Sequence, residues 1–111
     1  MDNKPILVMI TTPTREVGRQ IADVLLAGQL AACVNIVSPI TSLYIWGGEV
    51  HNDEESLLIV KTREDLFTDG LIPAVRANHP YEVPEIIAIP IILGLGDYLD
   101  WIMQVTGSDL G

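Results

Sequence analysis

From Leu30 to Arg63 the chain reads as two long β runs folded back on a glycine pair. On the outgoing run Ile40, Ser42, Tyr44 and Trp46 share one face, and Thr41, Leu43 and Ile45 share the other, because side chains alternate along a strand. Pro39 interrupts this run and predicts a bulge or bend. Gly47-Gly48 is the turn, since tight hairpins require positive φ at their central residues. On the return run Leu57, Ile59 and Lys61 face one way, and Leu58, Val60 and Thr62 face the other. A hairpin this long outruns the cover that one small domain supplies. Its tip is therefore expected to pair with another subunit, because an exposed strand edge is a template for pairing.

The remaining elements follow from periodicity and punctuation. Ile6 to Ile10 is a short apolar run before Thr11-Thr12-Pro13, which predicts a strand buried on both faces. A helix follows from about Thr14, with Val17, Ile21, Val24 and Leu25 at helical spacing and Gly28 as its C′ residue. Glu64 to Asn78 is helix-like, but Pro73 predicts a break or kink near Asp69 or Gly70. Glu85 to Ile92 reads as a last core strand. Asp97 then stands as N-cap of a final helix, whose apolar side is Tyr98, Leu99, Trp101, Ile102 and Val105. The order is β-α-β-β-α-β with a C-terminal helix. That is an α+β fold on the ferredoxin-like, split βαβ plan, in one domain over residues 1–111 with its core at about 6–105.

Composition narrows the partners. Hydrophobic residues make up 49% of the 111 and charged residues 19%, which excludes disorder and leaves more apolar surface than one small core hides. The surplus implies a subunit interface. Six basic residues against 15 acidic ones give a net charge of −9, a poor match for nucleic acid. The single Cys33 excludes an internal disulfide framework and fits a reducing compartment, so a cytoplasmic location is expected. Met1-Asp2-Asn3-Lys4-Pro5 does not read as a signal peptide, and no stretch approaches transmembrane length, so no membrane partner is expected.

Chemistry concentrates in His79-Pro80-Tyr81-Glu82-Val83-Pro84-Glu85. Its prolines predict a stiff, extended connector, which reads equally as a recognition site or as a shaped loop. On a helix His79, Glu82 and Glu85 would converge on one ion, but the prolines forbid that helix. In an extended segment His79, Tyr81, Val83 and Glu85 point one way and Glu82 the other. The usual zinc spacings are absent, so a metal site has to draw on distant segments or several chains. Cys33 reads as a small core residue or as a thiolate activated by a cation such as Lys61 on the adjacent strand. Lys61 itself, on an apolar face, marks a pocket or ion pair, or else snorkels to water. His51, beside Asp53, Glu54 and Glu55, reads as a solvated turn able to hold a cation loosely. Gly94-Leu95-Gly96 lacks the rest of a phosphate loop. No nucleophile, base and orienting group announce themselves, so the residues support a pocket more readily than a reaction.

Five segments together resemble the CutA divalent-cation-tolerance family: Leu30-Ala31-Ala32-Cys33-Val34-Asn35-Ile36, Ser42-Leu43-Tyr44-Ile45-Trp46-Gly47-Gly48, Lys61-Thr62, His79 to Glu85, and Tyr98-Leu99-Asp100-Trp101-Ile102. The resemblance runs from about Ile6 to Val105. It implies a compact homotrimer with strands joined across subunits, as in PII signalling proteins, and a role in tolerance to copper and other divalent cations. It also implies an inter-subunit cleft holding Cys33, Lys61, His79, Tyr81 and Glu85. On that basis His79 and Cys33 are the expected metal ligands, with copper or another divalent cation bound. Lys61, Tyr81, Glu85 and Asn35 are the expected pocket residues. Ile10 and Ala74 stand where some members carry further cysteines, and Pro73 is atypical. A PII-like sensor of a small anionic metabolite, with Lys61 and His79 as donors, is the alternative. An enzyme using Cys33 or His79 is a third.

Overall fold

The structure is a computed structural model that describes residues 3–107. Strand β1 (Pro5–Thr12) leads into helix α1 (Arg15–Ala27), and the hairpin follows as β2 (Cys33–Trp46) and β3 (Glu49–Arg63). Helix α2 (Ile72–Asn78), edge strand β4 (Ile86–Pro90) and helix α3 (Gly96–Val105) complete the chain. The sheet order is β2-β3-β1-β4, all antiparallel, which is the split βαβ arrangement.

Thr14 caps α1, its hydroxyl accepting from the Val17 amide at 3.1 Å. Gly28 does not take the left-handed C′ position expected of it, since its φ is −88°. Gln29 does, at φ 57°. The Leu30 amide then bonds the Leu25 carbonyl at 2.8 Å and the Gln29 amide bonds that of Leu26 at 3.1 Å, a Schellman ending. Inside α1 the buried stripe is Gly18, Ile21, Ala22 and Leu25, and Val24 lies outside it.

The core lies between one face of the sheet and the helices α1 and α2. Ile6, Val8, Ile10, Leu58 and Val60 supply the sheet side; Ile21, Leu25 and Val75 supply the helical side. β1 was expected to be buried on both faces. Instead burial alternates strictly, with Leu7, Met9 and Thr11 only half-buried, because no helix layer covers the second face of the sheet along its length. β4 was expected to be a core strand. It is shorter and largely exposed, since it pairs with β1 alone and forms an edge of the sheet.

The Glu64–Asn78 segment breaks where Pro73 requires. A 3₁₀ turn (Glu64–Leu66) passes into a wide π turn (Phe67–Leu71), and α2 begins with Pro73 in its first turn, where a missing amide is tolerated. α3 starts one residue before Asp97. Leu95 is its cap position and Asp97 makes no side-chain cap bond, lying instead in the first turn, where a negative charge suits the helix dipole. α3 is fixed by Arg63, whose Nη1 donates to the carbonyls of Thr106 at 3.1 Å and Met103 at 3.5 Å. Among the described residues no helix is long and apolar enough to cross a membrane.

Candidate functional site

The hairpin register decides where the expected residues stand. Cys33 lies directly opposite Lys61, and Asn35 opposite Ile59, on the sheet face away from the core. Lys61 Nζ donates to Asn35 Oδ1 and lies 3.9 Å from Cys33 Sγ. Tyr98 of α3 closes this group. Its burial, then the charge of Cys33 and a hydrogen bond to it, hold the phenol above its ordinary range. Cys33, Asn35, Lys61 and Tyr98 thus form one cluster, with a half-buried thiol beside an ammonium.

The bulge at Val37–Ile40 shifts the parity of β2. It lets Cys33, Asn35 and Val37 share a face with Ile40, Ser42, Tyr44 and Trp46. A second cluster forms toward the hairpin. His79 Nε2 donates to the Thr11 carbonyl at 2.7 Å, and Nδ1 accepts the Tyr81 amide at 3.1 Å. Both ring nitrogens are engaged, which sets a neutral ring protonated at Nε2. The ring of Tyr81 lies 4.9 Å from that of His79, and its hydroxyl donates to Glu55 Oε2 at 2.9 Å. Burial and the Glu55 carboxylate push the Tyr81 phenol up to about 12. Tyr44 donates similarly to Asp53, and His51 stacks on Tyr44 with Nε2 3.1 Å from the Trp46 carbonyl. His51 is thus packed against the hairpin and not simply solvated. The connector bends at Pro80, Glu82 and Val83, so it is not the stiff extended run expected, although His79 and Tyr81 do meet on one side.

A cleft of about 860 Å³ opens between the outer part of β2 and this connector. Thr41 to Trp46 form one wall; Tyr81 to Val83 and Glu85 form the other, over Thr11 and Glu55. The six expected residues therefore divide. Tyr81 and Glu85 line the cleft with His79 behind them, while Cys33, Asn35 and Lys61 stand elsewhere. Lys61 pairs with Leu7 and Leu57 with Thr11, so four residues of β1, about 13 Å, separate the two clusters. His79 and Cys33 of one chain do not reach one ion. Among the described residues no three His, Cys, Asp or Glu side chains converge on a metal. Sequence reasoning missed Glu55, Tyr44 and Tyr98 as site members. Strand parity alone puts Glu55 on the face of Lys61, but its closeness to Tyr81 depends on the connector's path.

The profile of the CutA1 divalent ion tolerance protein matches residues 6–105, all of the sheet and helices but Pro5 at the start of β1. The chain belongs to that family. It is 52% identical over 101 residues to the divalent-cation tolerance protein CutA of Thermus thermophilus, covering 91% of this chain and 97% of that protein. Protein CutA of Homo sapiens is 43% identical over 99 residues, 89% of this chain and 55% of that protein. The chain thus spans about half the length of its human relative. It also superposes on the CutA1 crystal structure from Oryza sativa with a TM-score of 0.89 at 48% identity, covering 95% of each chain. The Thermus thermophilus Cut A1 structure gives 0.90 at 51% identity, covering 93% of this chain and 99% of that one. In this chain both clusters lie on the outward face of the sheet, toward opposite ends of the paired β1 and β3.

Proposed function

We propose that this CutA1-family chain acts in divalent-cation tolerance as a homotrimer that binds copper where subunits meet. The observation that carries the reading is the division of the site. One cluster offers a thiol beside Lys61, the other an imidazole beside Tyr81 and Glu85, and each is incomplete alone. Among the described residues the outer edges of β2 and β4 pair with no further strand and belong to different elements, so a joint between them is head-to-tail, the kind of contact from which a ring is built. Such a joint carries the Cys33 end of one copy toward the His79 end of the next. The number three rests on the resemblance to the family. Thiolate and imidazole suit copper. His79 Nδ1 would hold copper only by giving up the hydrogen bond that it accepts from the Tyr81 amide. A free thiol supports the cytoplasm as the compartment. The relatives include chloroplastic proteins and one named periplasmic, so the family is not confined to one compartment.

A second reading puts a small anionic metabolite at the same joint. Lys61 favours it, since its ammonium touches Asn35 and Cys33 and forms no salt bridge among the described residues. Copper titration of the wild type, His79→Ala, Cys33→Ser and His51→Ala at two salt concentrations separates these. Weaker binding in the first two variants supports the metal reading. Binding lost only in His51→Ala, or abolished by salt, moves the metabolite reading ahead.

A further inference from the structure

We infer that Glu55 is a positioning residue: through Tyr81 it locks the His79 imidazole in a closed state, and so sets how readily that ring is given up to a cation. His79 is only 8% exposed and stands where the ladder between β1 and β4 runs out. β4 pairs with β1 no further than Ile10, and the next carbonyl, that of Thr11, accepts from His79 Nε2 at 2.7 Å. With the proton at Nε2, Nδ1 carries the one available lone pair of the neutral ring, and the Tyr81 amide occupies it at 3.1 Å. Such a local bond competes poorly with water unless the connector is held in place. The Tyr81 side chain supplies the hold. Its ring lies 4.9 Å from the imidazole, and its hydroxyl donates to Glu55 Oε2 at 2.9 Å. Glu55 belongs to β3 and is itself only 8% exposed, so the acceptor is fixed to the sheet. A bond to a carboxylate is stronger than one between neutral groups. The phenol titrates only at about 12 and therefore donates at neutral pH.

Every one of these contacts lies within one chain, so the lock is present whether or not a neighbouring copy covers the cleft. Other roles for Glu55 predict different signs. If it were a ligand or a source of acidic attraction, its loss would weaken cation binding. If its bond to Tyr81 only stabilised the fold, its loss would lower the unfolding midpoint and leave the Tyr81 amide on Nδ1. As the lock, its loss frees the connector, and the amide leaves Nδ1 more often. A cation that needs that lone pair then binds more tightly, because apparent affinity scales with the fraction of molecules already open. The gain at the metal rests on the copper reading above; the lock itself does not.

The metal-free, full-length protein gives the first readout, hydrogen exchange of the amide at position 81. Tyr81→Phe removes only the hydroxyl and keeps the ring, and Glu55→Ala removes the acceptor. Both should speed that exchange by about three- to tenfold, the span that one lost hydrogen bond covers, while the amides between β1 and β3 keep their protection. Glu55→Gln, whose side-chain oxygen still accepts from the phenol, should restore part of the difference. The second readout is copper titration of the same variants in a His51→Ala background, which removes the chain's other imidazole. Affinity should rise by a similar factor in Tyr81→Phe and Glu55→Ala. Unchanged exchange at position 81, or exchange raised equally across the sheet, would overturn the inference. So would copper binding that needs His79 yet tightens in neither variant. Faster exchange at position 81, with copper binding indifferent to His79→Ala, would uphold the lock and sink only the copper reading. Should Glu55→Ala fail to fold, Tyr81→Phe decides alone.

Discussion

Gln29 holds a backbone conformation that suits glycine, one residue after the glycine that the helix pattern places at its end. Its φ of 57° closes the Schellman ending of α1, and its side chain is exposed. An L side chain in that region is strained by about 1–2 kcal/mol, partly offset by the extra unfolded-state freedom of glycine. Gln29→Gly should therefore stabilise the fold by about 0.5–1 kcal/mol, seen as a raised denaturation midpoint with unchanged slope. Tyr81 gives a second residue-scale expectation. Its phenol titrates at about 12 when folded against about 10 when unfolded. A raised folded pKa stabilises fully below the unfolded value and is lost as pH climbs through the folded one. Stability should thus decline between about pH 10 and 12, and ultraviolet titration should show a late-ionising tyrosine. In Glu55→Gln that tyrosine should ionise earlier. Gln29 was not legible as special, and Tyr81 was legible as a pocket residue but not as the partner of Glu55. Gly28 satisfied the sequence rule, and the partner of Tyr81 sits 26 positions away.

At the scale of elements, the hairpin is the piece that sequence describes best. Gly47 and Gly48 both take positive φ, at 63° and 77°, and Trp46 pairs with Glu49 across them. The parity shift at Pro39 falls in the register as well. Helix α3 is the opposite case. Its apolar residues read as a helix, but its attachment is polar and comes from afar. Arg63, only 8% exposed, holds the Met103 and Thr106 carbonyls and pairs with Asp65 at 2.9 Å. Gly107 backs this guanidinium at φ 91°, where an added Cβ would stand 2.9 Å from it. Arg63→Ala leaves those carbonyls unpaired and should destabilise by about 2–3 kcal/mol. Amide exchange should rise first in α3, with the core of β1 and β3 still protected. Equal loss across the sheet would mean that α3 is not a separate unit of stability. Arg63 also holds the Asp65 carboxyl below its ordinary range. Its contribution is present above the normal carboxylate pKa and is lost as pH falls through the lowered one.

For the whole molecule, shape and surface both point outward. The radius of gyration is 14.6 Å, where a compact chain of this length has about 13 Å. The excess is the projecting hairpin, whose Leu43, Ile45, Trp46 and Val50 are each more than half exposed. Ile92, Leu93 and Leu95 beyond β4 are exposed too. A folded chain rarely leaves so many large apolar side chains exposed unless another chain covers them. With the three copies proposed above, sedimentation equilibrium should give three times the subunit mass of 12.1 kDa. The thermal midpoint should rise with concentration over a hundredfold range under reversible conditions. A stable micromolar monomer, or a midpoint indifferent to concentration, would refute the coupling of folding to assembly.

The linear sequence by itself determined the order of elements, the hairpin turn, the bulge and the break at Pro73. These depend on local backbone chemistry: alternation, glycine φ and the missing proline amide. It also placed Cys33 and Lys61 on neighbouring strands, because one tight turn joins the two runs, while the bulge decided that they stand opposite each other. Only the tertiary structure decided that His79 lies far from Cys33, with both ring nitrogens engaged. It alone brought Tyr81 to Glu55 and Arg63 to α3. Those contacts depend on how a bent connector and a terminal helix return to the sheet. No local rule sets that path, because it follows from which surfaces the packed core leaves open.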